Sequence, residues 1–297
     1  MEEYNLSNAI DSIKYGFSKY DFLLSHDNIG KNGENLSIVI LSCNRSLSTI
    51  KLLDSIKNNM NNFAGKIVIA DNCSTKSELN NLKKYLKSFK FDVNLICFDK
   101  NYGVAGGRNK IINYVTTDWI FNLDNDIYFI DNPLSCIQDT ISLLGVKFLN
   151  IPLLSEDKKT IFSNGGSLFV NYNENCATIG GGSMFVQSQI NKDCQLKPSL
   201  STFLLGGASV LNKNTFIECG MFDDNMFVGF EDIDFSITIF EKGLKIGNCP
   251  TLSLVHNHTI SVDAHSLEYE KTHWKNMQLL YSYPNHFDRL LHKDLCR

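Results

Sequence analysis

The chain has 297 residues, a formal net charge of -4 and a pI near 6.0, and it contains no dense block of Lys and Arg. This balance argues against nucleic acid as the main partner, so an anionic ligand must be met by a metal ion or by a few placed cations. No apolar run approaches the roughly 20 residues that cross a bilayer, and the acidic, polar start predicts a chain without a secretory signal.

The nine cysteines are scattered along the chain, with an odd total and no C-x-x-C pair. This pattern is typical of reduced thiols in a cytoplasm, several of them serving as small core residues, and not of a disulfide scaffold or a zinc site. We therefore expect a cytoplasmic protein.

In chain order, residues 1–35 are predicted to form an accessory helical segment. Short apolar, β-branched runs then predict buried strands at 36–41, 66–70 and 93–98, each followed by a helical pattern, and a fourth strand begins at Trp119. Because strand and helix alternate, the sequence predicts an α/β fold with a mostly parallel sheet and helices on both faces.

Polar side chains follow these strands. Asn44, Asp71, Arg108 and Asp126 all come where a predicted strand has just ended or where the next helix begins. In open α/β sheets ligands bind at the carboxyl ends of the strands, so these side chains are candidates for one binding site.

The fourth strand ends in Asp124, Asn125 and Asp126. Side chains repeat every two residues along a strand, so the two carboxylates are predicted to project the same way, which is tolerable only if a cation shares the space. A divalent metal bound to phosphate oxygens is the obvious candidate. The alternative is a strand followed by an Asx turn with no metal.

The second half is Gly-rich and polar around 163–167 and 180–183, which predicts hairpins and loops in a mixed, substrate-specific part. Residues 233–239 alternate as a strand would, but Lys242-Gly243 resembles the end of a helix, so periodicity leaves this segment open. Without an internal repeat or a long linker, residues 36–260 are predicted to form one domain, followed by a helical tail over 261–297.

Seven groups of residues, in order, carry a resemblance to a known family; they lie at 38–45, 69–74, 101–109, 123–126, 206–211 with 220–223, 229–234 and 255–256. The chain resembles the family-2 glycosyltransferases of the GT-A fold, which use nucleotide-diphosphate sugars. The resemblance runs from residue 37 to about 284, and it implies a helix after Glu231.

The resemblance also implies roles for individual residues. Asp71 would read the base of a uridine or thymidine diphosphate sugar, and Arg108 would lie near the nucleotide or its phosphates. Asp124 and Asp126 would be the D-x-D metal motif, and Glu231 and Asp232 the acceptor-side acidic pair. The family positions further place Asn44 and Arg45 with the donor, and Gly206, Gly207 and Asp234 on the acceptor side.

Displacing a nucleoside diphosphate from a sugar needs charge neutralisation and a base for the incoming hydroxyl. Asp126 is predicted to bind Mn²⁺ or Mg²⁺ directly, and Asp124 directly or through the ribose or a water. His256 and His258 share a face if their segment is extended, and either could be a third ligand; alternatively, both are ordinary histidines.

Asp232 is predicted to take the acceptor proton, and Glu231 to orient the acceptor or the donor. Glu231, Asp232 and Asp234 compete for the role of base, and a simple helix cap is the alternative for Asp232. For Arg108 the alternative is a surface salt bridge.

The sequence therefore predicts a metal-dependent, inverting glycosyltransferase of the hexosyltransferase type, acting on a hydroxyl of a glycan, glycolipid or other acceptor. It leaves open a retaining enzyme, a catalytically inactive nucleotide-sugar or glycan-binding module, the oligomeric state, and peripheral association with the inner face of a membrane. A nucleotidyltransferase is disfavoured, because the chain lacks a Gly- and Arg-rich phosphate loop after Leu41.

Overall fold

The computed structural model describes residues 27–173, 176–184 and 196–257. The first half alternates strand and helix as predicted: β1 (Leu36–Ser42), α1 (Ser46–Asn59), β2 (Lys66–Asp71), α2 (Lys76–Leu86), β3 (Val93–Cys97), α3 (Gly103–Ile111), a 3-10 turn (Ile112–Tyr114), β4 (Trp119–Asp124), β5 (Ile127–Phe129), α4 (Leu134–Leu144), β6 (Phe148–Asn150) and β7 (Leu153–Leu154). The second half is mixed: β8 (Ile161–Asn173), β9 (Cys176–Met184), β10 (Ser199–Ser201), β11 (Ala208–Asn212), α5 (Lys213–Glu218), α6 (Glu231–Glu241), β12 (Ile246–Asn248) and β13 (Leu254–His256).

Within the described part of the chain, the central sheet has eight strands in the order β10-β12-β6-β11-β4-β1-β2-β3. β4, β1, β2 and β3 are parallel neighbours, whereas β11 runs antiparallel between β4 and β6. The carboxyl end of β4, where Asp124 lies, therefore meets the start of β11 from the second half of the chain.

The two faces of this sheet are both covered by helices, as the sequence predicted. Along β1, Ile38 and Ile40 pack in one apolar cluster with α1, α2 and α4, while Val39 packs in a second cluster with α3, α5 and α6. This alternation follows from the two-residue period of a strand that is buried on both sides. The predicted fold class is confirmed.

A second sheet of five strands has the order β5-β13-β7-β8-β9. In it β13 runs antiparallel to β5, with His256 opposite Ile127. The Gly-rich segments lie in the β8–β9 hairpin, whose register shifts between Asn164 and Gly166. The pairing of β13 with β5 places the end of β13 beside the turn that follows β4.

Two expectations about helices have different outcomes. The segment after Glu231 is a helix, as the family resemblance implied and the alternating pattern had left open. Residues 27–30 are irregular and residues 31–35 form turns, while the predicted N-terminal helix before them and the predicted helical tail lie outside the described residues. Within the described ranges, no helix is both long and apolar enough to cross a membrane.

Candidate active site

A cavity of about 390 Å³ opens at the carboxyl ends of the parallel strands. Its polar lining comes from Arg45 after β1, Asn72 after β2, and Asp124 and Asp126 at the end of β4. Phe227, from the loop before α6, closes another side. The cavity thus lies at the edge of the sheet where α/β folds commonly bind ligands.

The two aspartates do not lie on one continuous strand, and this premise of the sequence analysis is wrong. β4 ends at Asp124, and Asn125 and Asp126 form the turn before β5. The side-chain Nδ2 of Asn125 lies 3.4 Å from the hydroxyls of both Ser42 and Thr49, which holds the turn against β1 and α1. Both carboxylates nevertheless line the same cavity.

Each carboxylate is paired with an arginine. Arg108 Nη2 lies 2.5 Å from Asp124 Oδ1, and Arg45 Nη1 lies 3.1 Å from Asp126 Oδ2. Because the side chain of Arg108 is only 5% exposed, its ion pair is not the surface salt bridge of the alternative interpretation. Arg45 and Arg108 therefore supply positive charge beside the two carboxylates, as their proximity requires.

His256 is the histidine that reaches this turn. Its Nε2 lies 3.5 Å from Asp126 Oδ1, and its ring stacks on Phe162 with 4.3 Å between centroids. Burial alone would raise the pKa of Asp126, but the hydrogen bond and charge of His256, together with Arg45, hold that pKa below its ordinary value. His258, the other predicted ligand, lies outside the described residues.

The fit to a metal ion can be tested on these distances. Two ligands about 2.1 Å from a metal lie about 3.0 to 3.4 Å apart at angles between octahedral and tetrahedral. The 3.5 Å between Asp126 and His256 is close to that range. Among the described residues no three His, Cys, Asp or Glu side chains form a ready cluster. The residues fit an ion that takes its remaining ligands from a phosphate, as Mg²⁺ commonly does.

The second acidic pair lies in the first turn of α6. Glu231 Oε1 is 3.5 Å from Arg108 Nη1, and burial, followed by the neighbouring Asp232, raises the pKa of Glu231 to about 7. Asp232 Oδ2 accepts a hydrogen bond of 3.3 Å from the Gly206 amide. Burial also raises the pKa of Asp232, against the opposing effects of that amide and of Arg108.

Gly206 and Gly207 lie between the two acidic pairs. A Cβ on Gly207 would be 2.5 Å from Asp124 Oδ2, and one on Gly206 would be 3.0 Å from Arg108 Nη1. The Gly206 carbonyl accepts from Asn122, and the Gly207 carbonyl accepts from the Asp124 amide, at 2.7 and 2.8 Å. The absence of side chains here lets the two pairs approach a shared arginine.

Two residues that were predicted to bind the sugar donor make hydrogen bonds to the backbone of the loops in which they lie or which they contact. Asp71 is buried at the end of β2 and accepts from the Ser74 amide at 3.1 Å. Asn44, at a φ of 52°, accepts from the Thr75 amide at 2.8 Å and so ties the loop after β1 to the loop after β2. Asp234, the last predicted acceptor-side residue, is half-buried in the first turn of α6.

Asn72 and Asn101 are cavity residues that sequence reasoning missed. Asn72 Nδ2 donates to Asn101 Oδ1 at 2.8 Å and to the Gly103 carbonyl at 3.0 Å, and Asn72 Oδ1 accepts from the Tyr102 backbone amide. Both asparagines follow predicted strands, and that position was the available signal.

The loop before α6 and the loop after β2 each contain a residue with a strained backbone. Phe230, the residue that precedes the helix, has a φ of 69°, and Cys73 in the loop after β2 has a φ of 65°. The left-handed region is unfavourable for residues with a Cβ. The Phe227 carbonyl accepts from the Val104 amide at 2.6 Å, which joins this loop to the start of α3.

The strand order of the central sheet and the helices on its two faces match the GT-A fold that the family resemblance implied. Residues 37–142, which are less than half of the chain, match glycosyl transferase family 2, in agreement with the family resemblance. Asp124 and Asp126 lie inside the matched region, whereas Glu231, Asp232 and His256 lie beyond it.

Three solved structures illustrate the similarity of fold. GalNAc-T7 with UDP, GalNAc and Mn²⁺ has a TM-score of 0.60 and 17% identity, over 76% of this chain and 44% of that chain. Residues 1–349 of TarS from S. aureus have a TM-score of 0.56 and 14% identity, over 88% of this chain and 66% of that chain. The mannosyltransferase PcManGT from Pyrobaculum calidifontis with GDP-Man and Mn²⁺ has a TM-score of 0.53 and 12% identity, over 86% of this chain and 68% of that chain. The chain spans less than two thirds of the length of the first two. No curated protein sequence matches it.

Proposed function

We propose that this protein is a metal-dependent, inverting glycosyltransferase that moves a sugar from a UDP- or dTDP-sugar to a hydroxyl of a glycan, glycolipid or other acceptor. The observation that carries the proposal is that one buried arginine links the two acidic pairs. Arg108 contacts Asp124 of the first pair and Glu231 of the second. A donor bound at one pair would thus present its anomeric carbon toward the other.

The donor side is supported by the charges that line the cavity. Asp126 and His256 would hold Mn²⁺ or Mg²⁺, with Asp124 joining directly or through a water, and the ion would neutralise charge on the diphosphate. Arg45 is about one third exposed at the cavity, so it can turn from Asp126 to a phosphate oxygen. Both GalNAc-T7 and PcManGT were crystallised with Mn²⁺, which is consistent with this assignment.

The acceptor side is supported by the two buried carboxyls. Asp232 would accept the proton of the incoming hydroxyl, because a carboxyl whose pKa is raised by burial is a stronger base than an exposed one. Glu231, whose Oε1 faces Arg108, would orient the reactants. Gly206 would leave room for the acceptor beside Asp232.

The nucleotide preference is proposed from Asp71 and its neighbour. The Asp71 carboxylate ends β2 next to Asn72, which lines the cavity, and a carboxylate can accept the N3 hydrogen of uracil or thymine. Because GalNAc-T7 was solved with UDP and PcManGT with GDP-Man, the fold alone does not choose between nucleotides. The nine scattered cysteines, odd in number and without a C-x-x-C pair, support the cytoplasmic location expected from the sequence.

The test is a screen of nucleotide sugars for donor hydrolysis and transfer in the presence of Mn²⁺. We expect turnover of a UDP- or dTDP-sugar, its loss in excess EDTA, and tighter calorimetric binding of UDP or dTDP than of GDP. Full activity in EDTA would remove the metal from the proposal, and tight binding of GDP would remove the role of Asp71. NMR of the product separates inversion from the retaining alternative. A protein that binds a nucleotide sugar but never turns it over would be the inactive binding module.

A further inference from the structure

Two cysteines from distant parts of the chain are in contact on the helical face that contains α4. Cys136 is in the first turn of α4, and Cys249 follows β12; their sulfurs are 3.6 Å apart, with the Cys249 thiol donating to Cys136. Thr140 Oγ1 lies 3.8 Å from Cys249 Sγ, one helical turn from Cys136. Neither thiol lines the cavity at the carboxyl ends of the parallel strands.

We propose that Cys136 and Cys249 form a reversible dithiol–disulfide site that fastens α4 to the segment leading into β13. Disulfide sulfurs are about 2.05 Å apart, so these two must approach by about 1.5 Å, a movement within reach of side-chain rotation. The backbone near Cys249 is already held in place, because its amide donates to the Asn150 carbonyl at 2.9 Å.

The environments of the two thiols differ in the way that thiol–disulfide exchange requires. Cys136 is half-buried and therefore accessible to a small reagent, whereas Cys249 is buried. The hydrogen bond from Cys249 lowers the pKa of Cys136 to about 7, so a large fraction of Cys136 is thiolate near neutral pH. Cys136 is thus the attacking sulfur and Cys249 the resolving one.

The oxidant is a low-molecular-weight disulfide. The Cys136 thiolate attacks one sulfur of that disulfide, forms a mixed disulfide and releases one small thiolate. The Cys249 sulfur then attacks Cys136, a second small thiolate leaves, and it takes the Cys249 proton. Two protein thiols are oxidised to one disulfide, and one small disulfide is reduced to two thiols. This chemistry does not depend on the proposed glycosyl transfer.

The experiment exposes the native full-length protein to oxidised glutathione, traps remaining thiols with N-ethylmaleimide in acid, and maps tryptic peptides by mass spectrometry. Trypsin yields peptides 111–147 and 246–271, which contain Cys136 and Cys249 as their only cysteines. We expect these two peptides joined, two hydrogens lighter than their sum, and separated again by dithiothreitol. The oxidised protein should also melt several degrees higher, because the link closes a long loop of the unfolded chain.

The decisive variant is Cys136→Ser, which alters a half-buried site and should fold. It should yield no joined peptide and no change in melting temperature on oxidation. Cys97→Ser, at an exposed thiol of β3, is the matched control and should behave as wild type. The proposal is overturned if Cys136 stops at the glutathione adduct, or if the joined peptide forms only after denaturation.

Discussion

The Arg108 guanidinium binds Asp124 through Nη2 at 2.5 Å and faces Glu231 through Nη1 at 3.5 Å. One side chain from α3 therefore joins the carboxylate at the end of β4 to the carboxylate at the start of α6. These residues are 16 and 123 positions away from Arg108 along the chain. The geometry between the two acidic pairs depends on this arginine.

Arg108→Met should lower the free energy of unfolding by about 3 kcal/mol and kcat by at least about 10²-fold, because it leaves the buried Glu231 without its cation. Denaturant unfolding and steady-state kinetics measure the two effects. Lys110→Met, on the same helix but over the Tyr102 ring, is the control and should change both by little. Near-normal kcat in Arg108→Met would show that the arginine does not position the reacting groups.

Asp126→Asn should weaken Mn²⁺ binding by about 10²-fold or more, because the amide keeps the shape but lacks the charge that a hard cation requires. Calorimetry of Mn²⁺ into the protein without donor measures this directly. Asp131→Asn, at an exposed carboxylate shortly after β5, should bind Mn²⁺ as wild type does. Equal affinity in the two variants would contradict the metal assignment.

Asp232→Asn should reduce kcat by about 10² to 10⁴, with donor and metal affinity little changed, because only basicity is removed. Glu231→Gln is the comparison and should retain more activity. If Glu231→Gln is inactive while Asp232→Asn is near wild type, the two roles must be exchanged. Retention of the donor's anomeric configuration would show that the reaction does not use Asp232 or Glu231 as a general base.

Gly207→Ala should lower the free energy of unfolding by about 1 to 3 kcal/mol and impair activity, because the new methyl group would lie 2.5 Å from Asp124 Oδ2. Gly106→Ala is the matched control: its nearest neighbour is 3.5 Å away, and alanine is the better helix former in α3. Thermal melting and kinetics of both variants suffice. A fully active Gly207→Ala protein would mean that Asp124 can move without cost.

The raised pKa of Glu231 predicts a pH dependence of stability. A carboxyl with a pKa of about 7 when folded and 4.5 when unfolded binds more protons in the folded state between these values. Stability from this group is therefore present below about pH 4.5 and is lost as the pH rises to about 7. Without metal, wild type should lose up to about 3 kcal/mol relative to Glu231→Gln across that range. A constant difference between the two proteins would contradict the raised pKa.

Much of the first half of the chain could be predicted because its signals are local. The strands that end near Asp71 and Asp124 are continuous apolar runs, and an alternating α/β pattern leaves few arrangements of such strands. The turn at Asn125 could not be separated from a longer strand, because Asp-Asn-Asp suits both. Its conformation depends on Ser42 and Thr49, which are distant in sequence.

The partners of the site residues were less predictable. Arg45 was expected at the donor but not on Asp126, and Arg108 was not expected to reach Glu231. The first contact forms because β1 and β4 are parallel neighbours, and the second joins α3 to the start of α6. Both are long-range contacts that periodicity does not encode. The Cys136 and Cys249 contact has the same origin, since it forms only when β12 joins β6.

Among the residues that the structure describes, five non-glycine residues have a positive φ, and Asn44, Cys73 and Phe230 are those in the loops around the cavity. Each such residue costs about 1 to 2 kcal/mol relative to an unstrained backbone. This strain reduces the margin by which the folded state is stable, so the protein tolerates fewer additional destabilising substitutions in these loops. Directed evolution of a new donor preference should therefore begin from a variant stabilised on its surface helices.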